Sequence, residues 1–239
     1  MVSDRAVKVW AWIAAAHEGD GPVSMAAVCT AAVRNLGVDG ASVTATSSLL
    51  VGDPLFASND LSAVLEELQF TAGEGPSADE FWLGSPVLIE DLESAAPRWP
   101  GFVPDAVAAG ARAMFALPLQ TGAIRIGVLS LYRGVPGPLT PGELADVLVF
   151  ADIALQLLLD ASSGMSGSPS YRPLDGLSDR RAVVYQAAGM ISVQLGVSLA
   201  EALARLRAHA FASSAALGDI AGEVVSRRLR FEPGTDARS

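Results

Sequence analysis

Residues 162–170 consist only of serine, glycine, methionine and proline, and this segment constrains the fold more than any other feature of the sequence. A run of this composition has no apolar periodicity and is typical of a flexible linker. It separates a part long enough to bury its own core from a short C-terminal part. We therefore predict a domain over residues 1–161, a linker over 162–176, a helical module over 177–231 and a disordered tail over 232–239.

The composition favours a folded protein in a reducing compartment. With 51% hydrophobic and 18% charged residues, the chain is too apolar to be disordered as a whole. Cys29 is the single cysteine, so no intramolecular disulfide can form. The apolar segment at residues 144–159 is interrupted by polar side chains and falls short of the roughly 18 apolar residues that a membrane span needs. We expect a soluble, cytoplasmic protein.

The part before the linker alternates between helical and strand patterns, which predicts an α+β domain. Helices are predicted over residues 3–17 and 24–36, strands over 40–46 and 54–58, and then a helix whose apolar face carries Leu61, Val64, Leu65 and Leu68. After a loop at 71–77, the pattern predicts a short helix, a strand at 86–89, a helix over 103–111 and hairpin strands at 113–119 and 123–132.

The last helix of this part has a well-marked beginning. Thr140 is placed to cap it, Pro141 takes the first helical position, and Glu143 can complete a capping box with Thr140. This combination predicts a long helix that starts at Thr140.

Three short helices are predicted after the linker, over residues 179–194, 198–213 and 217–230. The middle helix begins with a second capping-box pattern, Ser198 and Glu201. Its apolar stripe needs a neighbouring surface to cover it; the stripe comprises Leu199, Leu203, Leu206 and Ala210. Because three helices of this length bury little surface alone, we expect them to pack on a partner chain or on the preceding domain.

Positive charge is concentrated in these helices, although the chain as a whole carries −10. Residues 180–230 hold seven arginines and three acidic residues, a net charge of +4, and such asymmetry hints at a nucleic-acid partner. Guanidinium groups bind phosphates and stack on unpaired bases. The arginines that end the last helix also offset its dipole, which explains them without a ligand. Arg205 and Arg207 lie mid-helix with His209 and are the better candidates for RNA contacts.

The motifs of common enzymes are missing from the sequence. Lys8 is the only lysine, which excludes a phosphate-binding P-loop, and the zinc-protease, C-x-x-C and G-x-S-x-G patterns do not occur. The two histidines, His17 and His209, have no nearby nucleophile with a supporting motif. We expect no catalytic residues, no metal site and no enzymatic activity.

The C-terminal part resembles the ANTAR module of bacterial transcription antiterminators. The segments that carry the resemblance are residues 184–191, 195–202, 206–210 and 217–221. The resemblance implies a homodimer that binds paired stem-loops in mRNA leaders and so prevents a terminator hairpin from forming. The RNA-binding residues predicted from motif positions and from the basic stretch are Gln186, Ala187, Gly189, Arg205, Arg207, His209 and Ala210. Many members carry a basic residue before the motif glycine, where this chain has Ala188.

The preceding part resembles a GAF domain over roughly residues 20–161. The motifs are residues 71–76 with 85–91, and a closing hairpin that contains 116–119 and 126–129. The resemblance implies an antiparallel sheet flanked by helices. The cyclic-nucleotide signature N-K-x-F-D-E is missing, so no cofactor is identified. Either the GAF pocket binds an unknown small molecule, or the domain dimerises through its terminal helices.

Two functions remain open at this point. The leading hypothesis is an RNA-binding antiterminator that a GAF domain controls, with RNA as the partner and no membrane or DNA partner. The alternative is a GAF-based protein–protein signalling and dimerisation module that does not bind RNA. A DNA-binding helix-turn-helix fits the sequence less well, because no glycine-containing turn precedes a short polar recognition helix.

Overall fold

A computed structural model describes residues 4–45, 54–162 and 177–232. The chain divides into two compact units, Met1–Leu174 and Asp175–Ser239. The predicted linker apart from Ser162, and the predicted tail apart from Glu232, lie outside the described residues.

The first unit is built on a five-stranded antiparallel sheet with the order β2-β1-β5-β4-β3. Its strands are β1 (Gly40–Ala45), β2 (Pro54–Ala57), β3 (Val87–Ile89), β4 (Ala113–Thr121) and β5 (Ile124–Arg133). Its helices are α1 (Asp4–Ala16), α2 (Met25–Asn35), α3 (Asp60–Ala72), α4 (Pro76–Leu83), α5 (Val103–Ala108) and α6 (Pro141–Ser162). The predicted α+β architecture is confirmed.

Both faces of the sheet are buried, because alternate side chains of each strand enter different cores. On β4, Phe115 and Leu117 pack with α1, α2 and α6, whereas Met114 and Ala116 pack on the opposite side with α3 and α5. The second core also buries Trp99. The sheet is therefore the middle of three layers.

The predicted start of α6 is confirmed by its hydrogen bonds. The amide of Thr140 donates to Glu143 Oε2 at 2.6 Å, and the amide of Glu143 donates to Thr140 Oγ1 at 3.2 Å. Each residue satisfies a backbone donor of the other, as a capping box requires. Arg133 also donates to Glu143 Oε1 at 2.9 Å, which ties the helix start to the end of β5.

The buried face of α3 differs from the prediction. Val64 was expected on that face, but it is 44% exposed, while Glu66 and Gln69 are buried. These polar side chains bond to the sheet and to α4, so the inward face of α3 combines hydrogen-bonded polar groups with the apolar Leu65 and Phe70. The predicted loop at residues 71–77 is also shorter, because α3 continues to Ala72 and α4 begins at Pro76.

The second unit consists, in its described residues, of the helices α7 (Leu177–Leu195), α8 (Leu199–Ala212) and α9 (Leu217–Val225). Val184 and Ile191 of α7, Leu206 of α8 and Val224 of α9 are all buried. The amide of Glu201 donates to Ser198 Oγ at 3.2 Å, so half of the predicted capping box forms. The Glu201 carboxylate instead accepts from Arg205 Nη2 at 2.7 Å.

Helix α9 ends at Val225, earlier than the predicted residue 230. Arg227 adopts a φ of +62°, which no helix can continue. The amide of Arg227 donates to the Val224 carbonyl and that of Arg228 to the Glu223 carbonyl, the bond pair of a Schellman motif. Arg227, Arg228 and Arg230 therefore lie on a turn beyond the helix.

Helix α8 ends in the same motif with Ser214 at the left-handed position, φ +50°. A residue with a side chain is less stable than glycine in this conformation by about 1–2 kcal/mol. Glycine also makes the unfolded chain more flexible, and this offsets part of its advantage.

We expect Ser214→Gly to raise the free energy of unfolding of this unit by about 0.5–1 kcal/mol in thermal denaturation of the full chain. Gly196→Ala is the matched control at φ +66° and should lower it; an equal response of both variants would contradict the explanation.

Candidate functional site

An open groove of about 530 Å³ lies on the surface of the helical unit. One wall is a face of α7 and the other is the turn that follows α9. The residues that line it are Gln186, Gly189, Met190, Val193, Gln194, Arg227 and Arg230. The five α7 residues fall at spacings of three, four, seven and eight, which places them on one side of the helix. The groove therefore has a continuous helical wall and a basic rim.

At Gly189 the helical wall of the groove has no side chain. Glycine inside a helix is less stable than alanine by about 0.5–1 kcal/mol. A Cβ atom at this position would meet no other atom within 4 Å, so packing within the described part of the unit does not require glycine. Its effect is to leave the α7 backbone accessible from the groove.

Arg227 and Arg230 supply the positive charge of the groove. Neither arginine makes an ion pair with an acidic residue in the part of the chain that the structure describes. Both lie on the turn after α9, where the left-handed conformation of Arg227 directs the chain back across α7. An anion that enters the groove would meet two guanidinium groups there.

Contacts across the unit hold this turn in place. The amide of Phe231 donates to Gln194 Oε1 at 3.0 Å, which joins the turn to the C-terminal end of α7. The rings of His209 and Phe231 meet edge to face, with centroids 5.3 Å apart. The predicted RNA contact His209 thus lies, half-buried, against Phe231 and does not line the groove.

The structure does not bring all the predicted RNA-contact residues together. Gln186 and Gly189 line the groove. Ala187 and Ala210 are buried in the core of the unit, where they serve packing. Ala188, the departure from the ANTAR pattern, is fully buried as well. Arg205 is exposed on α8, and its charge is partly balanced by Glu201.

Arg207 lies half-buried between helices. Burial lowers the pKa of its guanidinium to about 10; Tyr185 counteracts this effect and the nearby charge of Arg181 reinforces it. Arg181 is itself buried. Desolvation and repulsion from Arg181 both disfavour the charge of Arg207 in the folded unit. The structural role of Arg207, beside any contact with RNA, therefore comes from the packing of its side chain at the helix interface.

Sequence reasoning did not select Arg227 and Arg230, because they were assigned to the end of a continuous helix, where offsetting the dipole explained them. The structure places both beside Gln186 and Gly189. The signal that could have found them is the loss of apolar periodicity after Val225, in a segment with no glycine to end the helix.

The first unit contains a layer of buried polar groups between the sheet and helices α3 and α4. Ser42 and Thr44 of β1 donate to the two carboxylate oxygens of Glu66 at 2.8 and 3.1 Å. Ser77 of α4 shares a 2.8 Å hydrogen bond with Ser130 of β5. Buried polar groups of this kind are stable only when they are hydrogen-bonded, so the layer fixes how the two helices sit on the sheet.

Gln69 completes this layer at the start of α4. Its Oε1 accepts from the amide of Ser77 at 2.7 Å, and its Nε2 donates to Ser77 Oγ at 3.0 Å. The residue before the helix is Gly75, with φ +136°, and a Cβ there would lie 2.6 Å from the Gln69 side chain. Gly75 thus makes room for a side chain from α3 to cap α4.

Glu80 lies on α4 three residues after Ser77, and among the described residues it is the one carboxylate with a buried oxygen that has no hydrogen-bond partner. The residue is 1% exposed, and its Oε2 has no hydrogen-bond partner. Burial raises the pKa of Glu80 to about 8, although the charge of Arg125 acts in the opposite direction. Arg125 itself donates to the carbonyls of Phe81 and Trp82 at the end of α4.

No group of three or more His, Cys, Asp or Glu side chains within residues 4–45, 54–162 and 177–232 is placed to hold a metal ion. Across the same ranges no single helix is long and apolar enough to span a membrane. The helices at Arg180–Leu195 and Leu199–Ala212 together meet the criterion by length and composition alone, with a bend of 107° between them.

Comparison with known families identifies the first unit. The GAF domain model matches residues 23–158, more than half of the chain. The protein belongs to the GAF domain family, which is a family of signalling and sensory modules. A search of curated protein sequences gives no significant match.

Solved GAF domains are similar to this chain at low identity. The GAF domain from a Coxiella burnetii phosphoenolpyruvate-protein phosphotransferase is 13% identical, with 68% of this chain and 99% of that one covered and a TM-score of 0.48. The corresponding Acinetobacter domain is also 13% identical, with 67% and 94% covered and a TM-score of 0.47. The GAF-B domain of DevS from Mycobacterium smegmatis is 18% identical, with 58% and 92% covered and a TM-score of 0.42. These similarities assign no function.

The raised pKa of Glu80 makes the stability of the GAF domain depend on pH. The folded state favours the protonated carboxyl of Glu80. Its contribution to the free energy of unfolding is therefore complete below the ordinary pKa of 4.5 and is lost as the pH rises through about 8. Glu80→Gln mimics the protonated form. We expect it to raise the unfolding temperature relative to the wild type at pH 8 and to change it little at pH 4.5. Exposed Glu18→Gln removes the same charge and should show no such difference; identical pH profiles for the two variants would refute the assignment.

Arg207 and Arg205 are expected to respond differently to truncation. Arg207→Ala removes a half-buried side chain that packs at a helix interface, and the loss of this packing should lower the free energy of unfolding by about 1–3 kcal/mol. Arg205→Ala removes an exposed ion pair and should change it by about 0.5 kcal/mol or less. Chemical denaturation of the full-length variants measures both. Equal stability of the two variants would mean that Arg207 is not structural.

Proposed function

We propose that this protein is a cytoplasmic transcription regulator whose C-terminal helical unit binds stem-loops in nascent mRNA and prevents termination, under the control of its GAF domain. The observation that carries the proposal is the groove that combines Gln186 and Gly189 with Arg227 and Arg230. Two of these residues come from the segment that resembles the ANTAR module, and the other two provide charge for a polyanion.

The distribution of charge supports RNA as the partner. The helical segment 180–230 carries +4 within a chain of −10. Binding through a local basic surface on an acidic protein limits non-specific attraction to nucleic acid, because the rest of the chain repels phosphates. Amide side chains such as Gln186 can in addition read the exposed edges of unpaired bases, which is how single-stranded loops are usually recognised.

The proposed mechanism needs no chemical step. Two helical units of a homodimer hold two adjacent hairpins, and RNA held in this form cannot rearrange into the terminator hairpin. Transcription then continues. Because the effect depends on binding alone, the protein acts as a regulator and not as an enzyme, and it requires no metal or cofactor in the helical unit.

The GAF domain would set the activity of the helical unit, either by binding an unidentified small molecule or by dimerising. A second candidate function, protein–protein signalling without RNA, is favoured by one observation. Val7 and Trp10 of α1 and Leu148 of α6 are exposed apolar side chains on two helices that pack together. Such a surface suits a second copy of the chain.

The proposal predicts salt-dependent binding to RNA with paired hairpins. Sequencing of RNA crosslinked to the protein in its host is expected to recover leader segments that contain two adjacent hairpins. The full chain should bind such RNA in a gel-shift titration, and the logarithm of its affinity should fall with the logarithm of salt concentration by about 0.9 per phosphate contacted.

Two controls accompany this experiment. A strand of the same composition that cannot form hairpins should bind at least tenfold more weakly, as a rough expectation for specific recognition. Light scattering of the same sample should give a dimer. If the full chain fails to bind hairpin RNA at low salt and no leader RNA is crosslinked, the antitermination proposal is wrong, and the dimerisation function becomes the better one.

A further inference from the structure

We infer that the groove between α7 and the turn after α9 is the site that receives an unpaired RNA base, with the adjoining phosphates on Arg227 and Arg230. This inference rests on the proposed function and adds to it what occupies the groove and how the base and the phosphates are placed. It differs from the prediction made from sequence, which placed the arginine contacts on α8 and explained the arginines after α9 by the helix dipole.

The lining of the groove suits a base. Met190 and Val193 provide apolar surface, and the side chain of Val193 is 85% exposed. Gln186 and Gln194 flank this surface with carboxamide groups; Gln194 Oε1 already accepts from the Phe231 amide, so Gln194 offers a base its NH2 group. A nucleic-acid base can pack its flat face on the apolar side chains and form hydrogen bonds from its edge to the carboxamide groups. At about 530 Å³, the groove is within the size range of small-ligand sites.

The basic rim selects an occupant with negative charge. Arg227 and Arg230 have no acidic partner within the described residues, so a ligand phosphate would not have to displace an existing ion pair. Guanidinium groups bind phosphate oxygens through paired hydrogen bonds. A nucleotide in a strand has its base and its phosphates a few ångströms apart, which matches an apolar wall with arginines on the opposite rim.

Charge complementarity also argues against a second copy of the same face. Two grooves placed against each other would bring four arginines into one interface, without acidic residues of the groove to balance them. Like charges buried together oppose association. An RNA strand instead releases counterions when it meets the same arginines.

Gly189 gives independent support for a ligand in the groove, because no neighbouring atom in the described structure requires glycine at this position. Gly222 of α9 is likewise open to a Cβ but does not line the groove. Replacing either glycine by alanine should favour the helix to a similar degree. The two positions therefore form a matched pair in which only one substitution narrows the proposed base site.

The decisive experiment measures the affinity of full-length variants for the hairpin RNA recovered by crosslinking. Arg230→Gln and Arg227→Asn should each weaken binding about tenfold or more and reduce the salt slope by about 0.7, the value for phosphates of an unpaired strand. Asparagine is used at position 227 because it tolerates the left-handed conformation. Arg228→Gln removes the same charge from the same turn outside the groove and should reduce affinity about twofold at most, as a long-range effect.

The base contact is tested with the glycine pair and with a fluorescent base. Gly189→Ala should weaken binding about fivefold or more, whereas Gly222→Ala should leave affinity unchanged. An RNA with 2-aminopurine at the crosslinked loop position should change its fluorescence on binding to the wild type and not on binding to Gly189→Ala. Circular dichroism and thermal unfolding confirm that each variant is folded.

The outcomes separate this inference from the proposed function. If the wild type binds the RNA and the groove variants bind equally well, the groove inference is wrong and the proposed function stands. Equal losses for Arg227→Asn, Arg228→Gln and Arg230→Gln would show diffuse electrostatic attraction and also refute the groove site. A change of oligomeric state in the groove variants would identify the groove as a protein interface instead. If the wild type binds no hairpin RNA, both proposals are wrong.

Discussion

The antiparallel pairing of β4 with β5 is the interaction on which the GAF domain depends. These two strands are the longest in the sheet, and β1 and β3 are hydrogen-bonded to their outer edges. Their alternation supplies both cores at once, with Phe115 on one side and Met114 on the other. Any shift of register by one residue would exchange the two faces, so the buried pattern itself holds the pairing in place.

The two sides of this sheet have different chemistry. The side that meets α1, α2 and α6 is apolar, while the side that meets α3 and α4 also carries Ser42, Thr44 and Ser130. An apolar core tolerates exchange of similar side chains, whereas a hydrogen-bonded layer requires each partner in place. Glu80, on the same side of the sheet, retains an unsatisfied oxygen, so its protonation changes the energy of α4 packing on the sheet.

In the helical unit, the backbone conformation of a single residue defines the groove surface. The left-handed conformation of Arg227 ends α9 and turns the following residues towards α7. Had the helix continued, Arg227 and Arg228 would have extended the buried stripe of α9 at helical spacing, since they follow buried Val224 by three and four residues. The turn keeps these charged side chains out of the helix interface. The groove and its charge both follow from one residue that accepts an unfavourable φ.

Local sequence patterns were enough to predict the order of the elements, the capping box at Thr140, the α+β class and the concentration of arginines near the C-terminus. These features depend on neighbours in the chain, since periodicity, caps and net charge are local properties. Tertiary structure alone decided that Val64 faces outwards while Glu66 and Gln69 face the core, because a buried polar group is stable only where a distant partner meets it. It likewise decided that Ala187 and Ala210 are packing residues and that Arg227 and Arg230 join Gln186 in one groove, because the position of a turn across a neighbouring helix depends on contacts between segments far apart in the chain.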